Sequence, residues 1–281
     1  MVDNGEDDLL VTSNDLRLEG APPILVAHRG YSGRYPENTL LAYEAAYQHG
    51  ARFMELDLQM TADHVPVLHH DVSLARMAGI DVDIRDTQAK HFKAMRASYP
   101  ARFADEFSDN AFTTFKKYAK WAATVPDVTT FVEIKQESID RFGIPLFIDQ
   151  VEHQINKADI ATQCVIISFN ADVIEYTRKT GSLRTGWVLP AWNDQTEATA
   201  RRLQPDFVFC DTNLLPTEDE GIWRGNWDWV VYNLDDVPSA IKMANRGIRY
   251  LETNQIGTLM RHDGLANRRL QTPSTNESQS N

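Results

Sequence analysis

The sequence predicts an α/β protein, a (β/α)8 TIM barrel with an insertion after its second barrel strand. Three observations carry that reading. Eight short runs rich in β-branched and aromatic residues recur along the chain, with helical segments between most of them. Such segments supply the crossovers that parallel strands require. The repeating part, residues 22–261, has the length that one closed barrel commonly needs, about 250 residues. An open doubly wound sheet is the alternative, but no G-x-G-x-x-G follows the first strand.

Residues 1–21 are polar and acidic and read as a lead-in. The first strand is "ILVAH" (24–28), followed by "ENTLLAYEAAYQHG", a helical pattern closed by a glycine. The second strand is "FMELDLQ" (53–59); "TADH" then separates "MELDLQM" from "VPVLHH", which predicts an extra hairpin. Residues 71–128 are too long for an ordinary connection and read as a functional insertion. They hold helical "FTTFKKYAKWAATV" and the aromatics Phe92, Tyr99, Phe103 and Phe107, and are expected to close over a substrate and select it. The remaining strands are "TFVEIK" (130–135), "CVIISF" (164–169), "RTGWVL" (184–189), "DFVFCD" (206–211), "WVVYNL" (229–234) and "RYLETN" (249–254). The helical segment "PSAIKMANRG" again ends in glycine, and the polar tail 262–281 is predicted to be disordered.

The composition narrows the possible partners. With 281 residues, 42% of them apolar, the chain can bury a sizeable core. A formal net charge of −12 argues against nucleic acid and against an anionic membrane surface. The two cysteines, Cys164 and Cys210, sit in different strands, so no disulfide framework is expected. No apolar run approaches the ~18–20 residues of a membrane span. "MVDNGEDDLL" lacks the basic and apolar regions of a secretory signal, so the expected location is cytoplasmic and no stable membrane insertion is expected.

In a barrel, polar residues at the C-terminal ends of strands face the functional mouth. Here those ends carry His28 and Arg29, then Glu55 and Asp57, then Glu133 and Lys135. Strand alternation puts each of the last two pairs on one face. Any one of these motifs alone is more often an exposed or solvated surface; their joint occurrence at one end of successive strands is the signal. Three converging carboxylates repel unless a positive charge lies between them. All-oxygen ligands favour a hard cation, Mg2+ or Ca2+.

The ordered series His28-Arg29-Gly30, Pro36 to Thr39, Glu55-x-Asp57, Thr61-x-Asp63, His70-Asp71, Arg76 and Glu133-x-Lys135 resembles the glycerophosphodiester phosphodiesterase family. The resemblance extends over roughly residues 22–258, less sharply after "ISFN". It implies a TIM barrel with this insertion, and hydrolysis of a small-molecule glycerophosphodiester to an alcohol and glycerol 3-phosphate with one divalent cation, Mg2+ or Ca2+. By the same resemblance Glu55, Asp57 and Glu133 hold the metal, and His28 and His70 are the general acid and base. Arg29 and Lys135 contact the phosphate, and Glu37 supports the site. The family pattern favours His70 over His69 because it directly precedes Asp71.

Two departures fall in the C-terminal half. Tyr232-Asn233 stands where many relatives have Trp-Thr, and "ETNQ" lacks the proline that often follows. Both bear on the glycerol or alcohol contacts. Ser168, Trp187 and Asp211 are further strand-end candidates. Lysophospholipase D action or cyclic-phosphate formation would use the same groups. A non-catalytic phosphoester-binding module would be expected to have lost a histidine or a carboxylate, and none is missing.

Overall fold

The computed structural model describes residues 17–181, 183–217 and 221–265. Most of the lead-in and of the tail therefore lies outside the described residues. Nine strands form: β1 (Ile24–Ala27), β2 (Phe53–Met60), β3 (Pro66–Leu68), β4 (Thr129–Ile134), β5 (Cys164–Ser168), β6 (Arg184–Val188), β7 (Phe207–Asp211), β8 (Asp228–Tyr232) and β9 (Tyr250–Thr253). Eight are parallel and run β1-β9-β8-β7-β6-β5-β4-β2, and a β1–β2 pairing closes the ring. The predicted barrel is the observed one.

The hairpin also forms. β3 pairs antiparallel with the far end of β2, with Leu58 opposite Leu68 and Met60 opposite Pro66. β2 can carry this extra partner because β1 pairs only with its start, at Phe53 and Met54.

Period-two alternation divides each barrel strand between two cores. Outward residues such as Leu25, Met54, Val132, Ile166 and Trp187 join the helices in the larger one. Inward residues Ile24, Val26, Phe131, Val165, Ile167, Val188, Phe207, Phe209, Val230 and Tyr250 fill the barrel. Aromatic rings meet edge to face within it, Phe131 with Phe207 and with Phe209 at 5.0 Å each. This packed floor leaves only the C-terminal mouth for polar groups.

The helical stretch "FTTFKKYAKWAATV", assigned above to the insertion, belongs partly to the barrel. Helix Phe115–Ala122 buries Phe115, Tyr118, Ala119 and Ala122 in the main core. Its Tyr118 ring meets Tyr43 of helix Leu40–Gln48 at 4.8 Å. The insertion has a separate small core of Val67, Leu74, Met77, Ile84, Phe92, Ala97 and Phe112. Asp63 of the T-x-D motif ties it to the hairpin, accepting hydrogen bonds from Thr61 Oγ1 and from the Ala89 backbone N–H, both at 2.8 Å.

Between β7 and β8 no helix is present among the described residues; Trp223 of that connection stacks on Trp192 at 3.9 Å.

Gly30 is demanded twice. Its φ is +79°, and a Cβ there would lie 2.7–2.9 Å from the backbone and side chain of Ala42. Gly30→Ala is expected to cost roughly 2–5 kcal/mol, from overpacking plus a left-handed alanine. Urea unfolding measures it, and an unchanged midpoint would refute this account of the turn.

Candidate active site

The chain just beyond β1 turns sharply. Arg29 has φ 56° and Gly30 follows at 79°, so two left-handed residues swing the backbone off the barrel axis. The Arg29 backbone N–H then donates to Glu55 Oε2 at 3.1 Å. The Arg29 side chain donates from Nη1 to Glu37 Oε1 at 2.9 Å, and its Nε lies 2.9 Å from Asp57 Oδ2. That second approach is an ion pair off the line of a hydrogen bond.

The P-E-N-T segment divides its work. Glu37 binds Arg29 and also Arg76, whose Nη1 and Nη2 donate to Glu37 at 2.8 and 2.9 Å. Asn38 donates from Nδ2 to Asp57 Oδ2 at 2.8 Å, and its Oδ1 accepts from Tyr43 and from the Asp57 backbone N–H. Thr39 caps helix Leu40–Gln48 by accepting from the Ala42 N–H.

Arg76 also donates from Nε to Asp71 Oδ2 at 2.7 Å, while Asp71 Oδ1 pairs with His70 Nδ1 at 2.7 Å. Burial opposes the charge on Glu37, but Arg76 and Arg29 hold it below the usual carboxylate range. His70 and Arg76 hold Asp71 far below it. Both carboxyls therefore add stability that is complete above their unfolded values, near pH 4–4.5, and is lost as pH falls through their folded values. Arg76→Met is expected to cost roughly 3 kcal/mol at neutral pH, as when one partner of a buried pair is removed. Its deficit in urea stability should shrink below about pH 4; a deficit constant with pH would show that these ion pairs contribute nothing.

Glu55, Asp57 and Glu133 converge, each offering an oxygen within 4.8 Å of the others. They are not equivalent. Asp57 is buried but has Arg29 and Lys135 beside it, the lysine Nζ at 3.4 Å, and these hold its carboxyl far below its usual range. Glu133 binds Lys135 at 2.9 Å, yet burial still pushes it up. Glu55 is pushed well up by burial and then by Asp57. Glu55 Oε1 and Asp57 Oδ1 accept no hydrogen bond. Buried carboxylate oxygens without donors, gathered from adjacent strands, fit a hard divalent cation.

His28 donates from Nδ1 to Asn254 Oδ1 at 2.9 Å, a direction fixed because Asn254 Nδ2 donates to Asp235. Its Nε2 therefore faces the site, and burial with Arg29 beside it lowers the imidazole to about 4. His28, Arg29, Glu55, His70, Glu133 and Lys135 line one cavity at the C-terminal mouth; the other lining residues are Ile167, Phe169, Val188, Phe209, Tyr232, Asn233 and Glu252.

Ser168 and Trp187 are not among the lining residues. Both lie on the outward phase: Ser168 donates to the Ile134 carbonyl and Trp187 Nε1 to that of Phe169. Asp211 instead accepts from the Asn213 backbone N–H and from Asn233. Phe169 and Glu252 were missed in the sequence. Both follow from the inward phase, one step beyond Val165–Ile167 and Tyr250. None of residues 71–114 lines the cavity. Phe92 is buried in the insertion's own core, while Phe107 meets Tyr35 of the first loop at 5.8 Å.

Residues 28–219 match the Glycerophosphoryl diester phosphodiesterase family. This chain belongs to that family. Membership makes it an enzyme of phosphodiester chemistry. It is 25% identical over 250 residues to a glycerophosphodiester phosphodiesterase of Caldanaerobacter subterraneus, covering 86% of this chain and 99% of the other. It is 30% identical to the uncharacterised Bacillus subtilis protein YqiK over 53% of this chain, a match that spans only 58% of that relative. Among solved structures, the fold is shared with an Oleispira antarctica phosphodiesterase bound to sn-glycerol 3-phosphate. That likeness has TM-score 0.74 at 19% identity and covers 84% of this chain and 95% of that one. A Thermotoga maritima glycerophosphodiester phosphodiesterase matches with TM-score 0.65 at 22% identity, over 85% and 97% of the two chains. No helix among the described residues is long and apolar enough to cross a membrane.

Proposed function

We propose that the chain hydrolyses glycerophosphodiesters to an alcohol and glycerol 3-phosphate, with a divalent cation held by Glu55, Asp57 and Glu133. The observation that carries this reading is the convergence of those carboxylates, two of which, Glu55 and Glu133, line one cavity with Arg29, Lys135 and two imidazoles. The Oleispira structure, which holds the product glycerol 3-phosphate, supports it. When bound, the cation would supply charge for a phosphoryl oxygen and lower the barrier to attack.

The side chains do the rest. Arg29 and Lys135 hold the anionic diester, each kept charged by buried carboxylates. Asp71 fixes the proton of His70 on Nδ1, and Asn254 does the same for His28, so both rings present Nε2 as the working atom. One imidazole, neutral, takes a proton from the attacking water as its oxygen bonds to phosphorus. The other, protonated on both nitrogens, gives its Nε2 proton to the leaving alkoxide as the P–O bond breaks. Glu37 positions Arg29.

Phe169 is 42% exposed at the cavity rim, with Tyr232 and Asn233 also lining it. We assign to these the contact with the alcohol portion; Tyr232-Asn233 already bore on those contacts in the sequence, while Phe169 joins them from the fold. The test is release of glycerol 3-phosphate from a panel of glycerophosphodiesters by wild type and Phe169→Ala. Wild type is expected to release it, and the variant to reorder its preferences. No release from any member of the panel would overturn the function; an unchanged ranking would remove Phe169 from specificity.

A further inference from the structure

We propose a second divalent-cation site formed by His28, Glu55 and Glu252, sharing Glu55 with the three-carboxylate site and taking a cation that accepts nitrogen as well as oxygen, such as Zn2+ or Co2+. Each of the three offers a ligand atom within 4.8 Å of the others. His28 Nε2 lies 3.5 Å from Glu252 Oε1 and 3.9 Å from Glu55 Oε2.

Glu252 is 3% exposed, lines the cavity, and its Oε2 has no hydrogen-bond partner. The nearby cationic side chains are committed elsewhere: Arg29 to Glu37 and Asp57, Lys135 to Glu133 and Asp57. Among the described residues Glu252 has no lysine or arginine ion pair. The ring orientation sharpens the point. With Nδ1 held by Asn254, Nε2 is the ring atom turned toward the two carboxyls. Glu55 Oε1 and Glu252 Oε2 are buried with no hydrogen-bond partner, so with that nitrogen they form an unsatisfied ligand set. One imidazole with two carboxylates suits borderline cations, while the all-oxygen site suits Mg2+ or Ca2+. Neighbouring cations with a carboxylate between them are a known arrangement in two-metal sites.

The consequence rests on the function proposed above. A cation on Nε2 of His28 occupies the atom meant to move a proton, so filling this site inhibits.

The test counts metal. Chelator-treated protein is dialysed against saturating Mg2+, then titrated with Co2+, and bound metals are measured by elemental analysis with the visible Co2+ absorption as signature. Wild type is expected to bind one Co2+ per chain while keeping one Mg2+. Glu252→Gln should keep its Mg2+ and bind Co2+ at least ~10-fold more weakly. If Co2+ only displaces Mg2+, so that the sum stays at one, or if Glu252→Gln binds Co2+ as tightly as wild type, the second site is wrong and the first stands. If wild type binds neither metal, the cation-dependent function falls as well. The wild-type count does not depend on how the variant folds.

Discussion

Dialysis against a chelator is expected to abolish glycerol 3-phosphate release, and Mg2+ or Ca2+ to restore it. The reason is electrostatic. Glu55, Asp57 and Glu133 are brought within 4.8 Å of one another at the barrel mouth, where burial weakens screening by water. Lys135 and Arg29 compensate Asp57 and part of Glu133, leaving Glu55 held up by burial and by its neighbour. Without a cation, burial favours protons on Glu55 and Glu133; a bound cation displaces them and supplies the positive charge that an anionic diester needs. Charge stabilisation worth several kcal/mol puts the expected loss at roughly three decades or more in kcat/KM. The same addition should raise the unfolding temperature, because the cation binds the folded site and not the open chain. Full turnover in metal-free buffer would sink the assignment of these three carboxylates.

His70→Ala is expected to lower kcat by about 10²–10⁴, the usual cost of losing a general acid or base, and His69→Ala by much less than ~10-fold. Adjacent residues point to opposite sides of an extended chain. His70 lines the cavity, its Nδ1 held by Asp71. His69 is 2% exposed, donates from Nδ1 to the Asp71 carbonyl, and lies against Phe112 of the insertion core at 5.6 Å. His69→Ala should therefore cost stability instead, so turnover must be compared per folded molecule at saturating metal. A crippled His69→Ala beside an active His70→Ala would shift the register by one residue and require the site to be redrawn.

Much of this was legible in the sequence because it is local. Strand alternation, the closing glycines after helices and the "TADH" break of the hairpin depend on neighbours a few residues apart. The converging carboxylates were legible for the same reason: E-x-D and E-x-K put their side chains on one face of a strand, and barrel strands end at one mouth.

Pairing was not legible. Which carboxylate meets Arg29, and which is left without a cation, depends on barrel closure. Closure sets β9 beside β1 and brings Asn254 to His28 across 226 residues of sequence. It also brings Glu252 beside His28; alternation within "YLETN" turns that glutamate inward but does not say which groups it meets. The insertion shows the same limit. Its aromatics looked suited to a substrate, but an aromatic ring buries against whatever apolar surface the fold offers, and here that surface is its own core and the first loop. The sequence by itself determined the elements, their faces and the chemical types at the mouth, because period and spacing are properties of a single segment. Only the tertiary structure decided which charges neutralise one another, because electrostatic compensation is set by distances between segments.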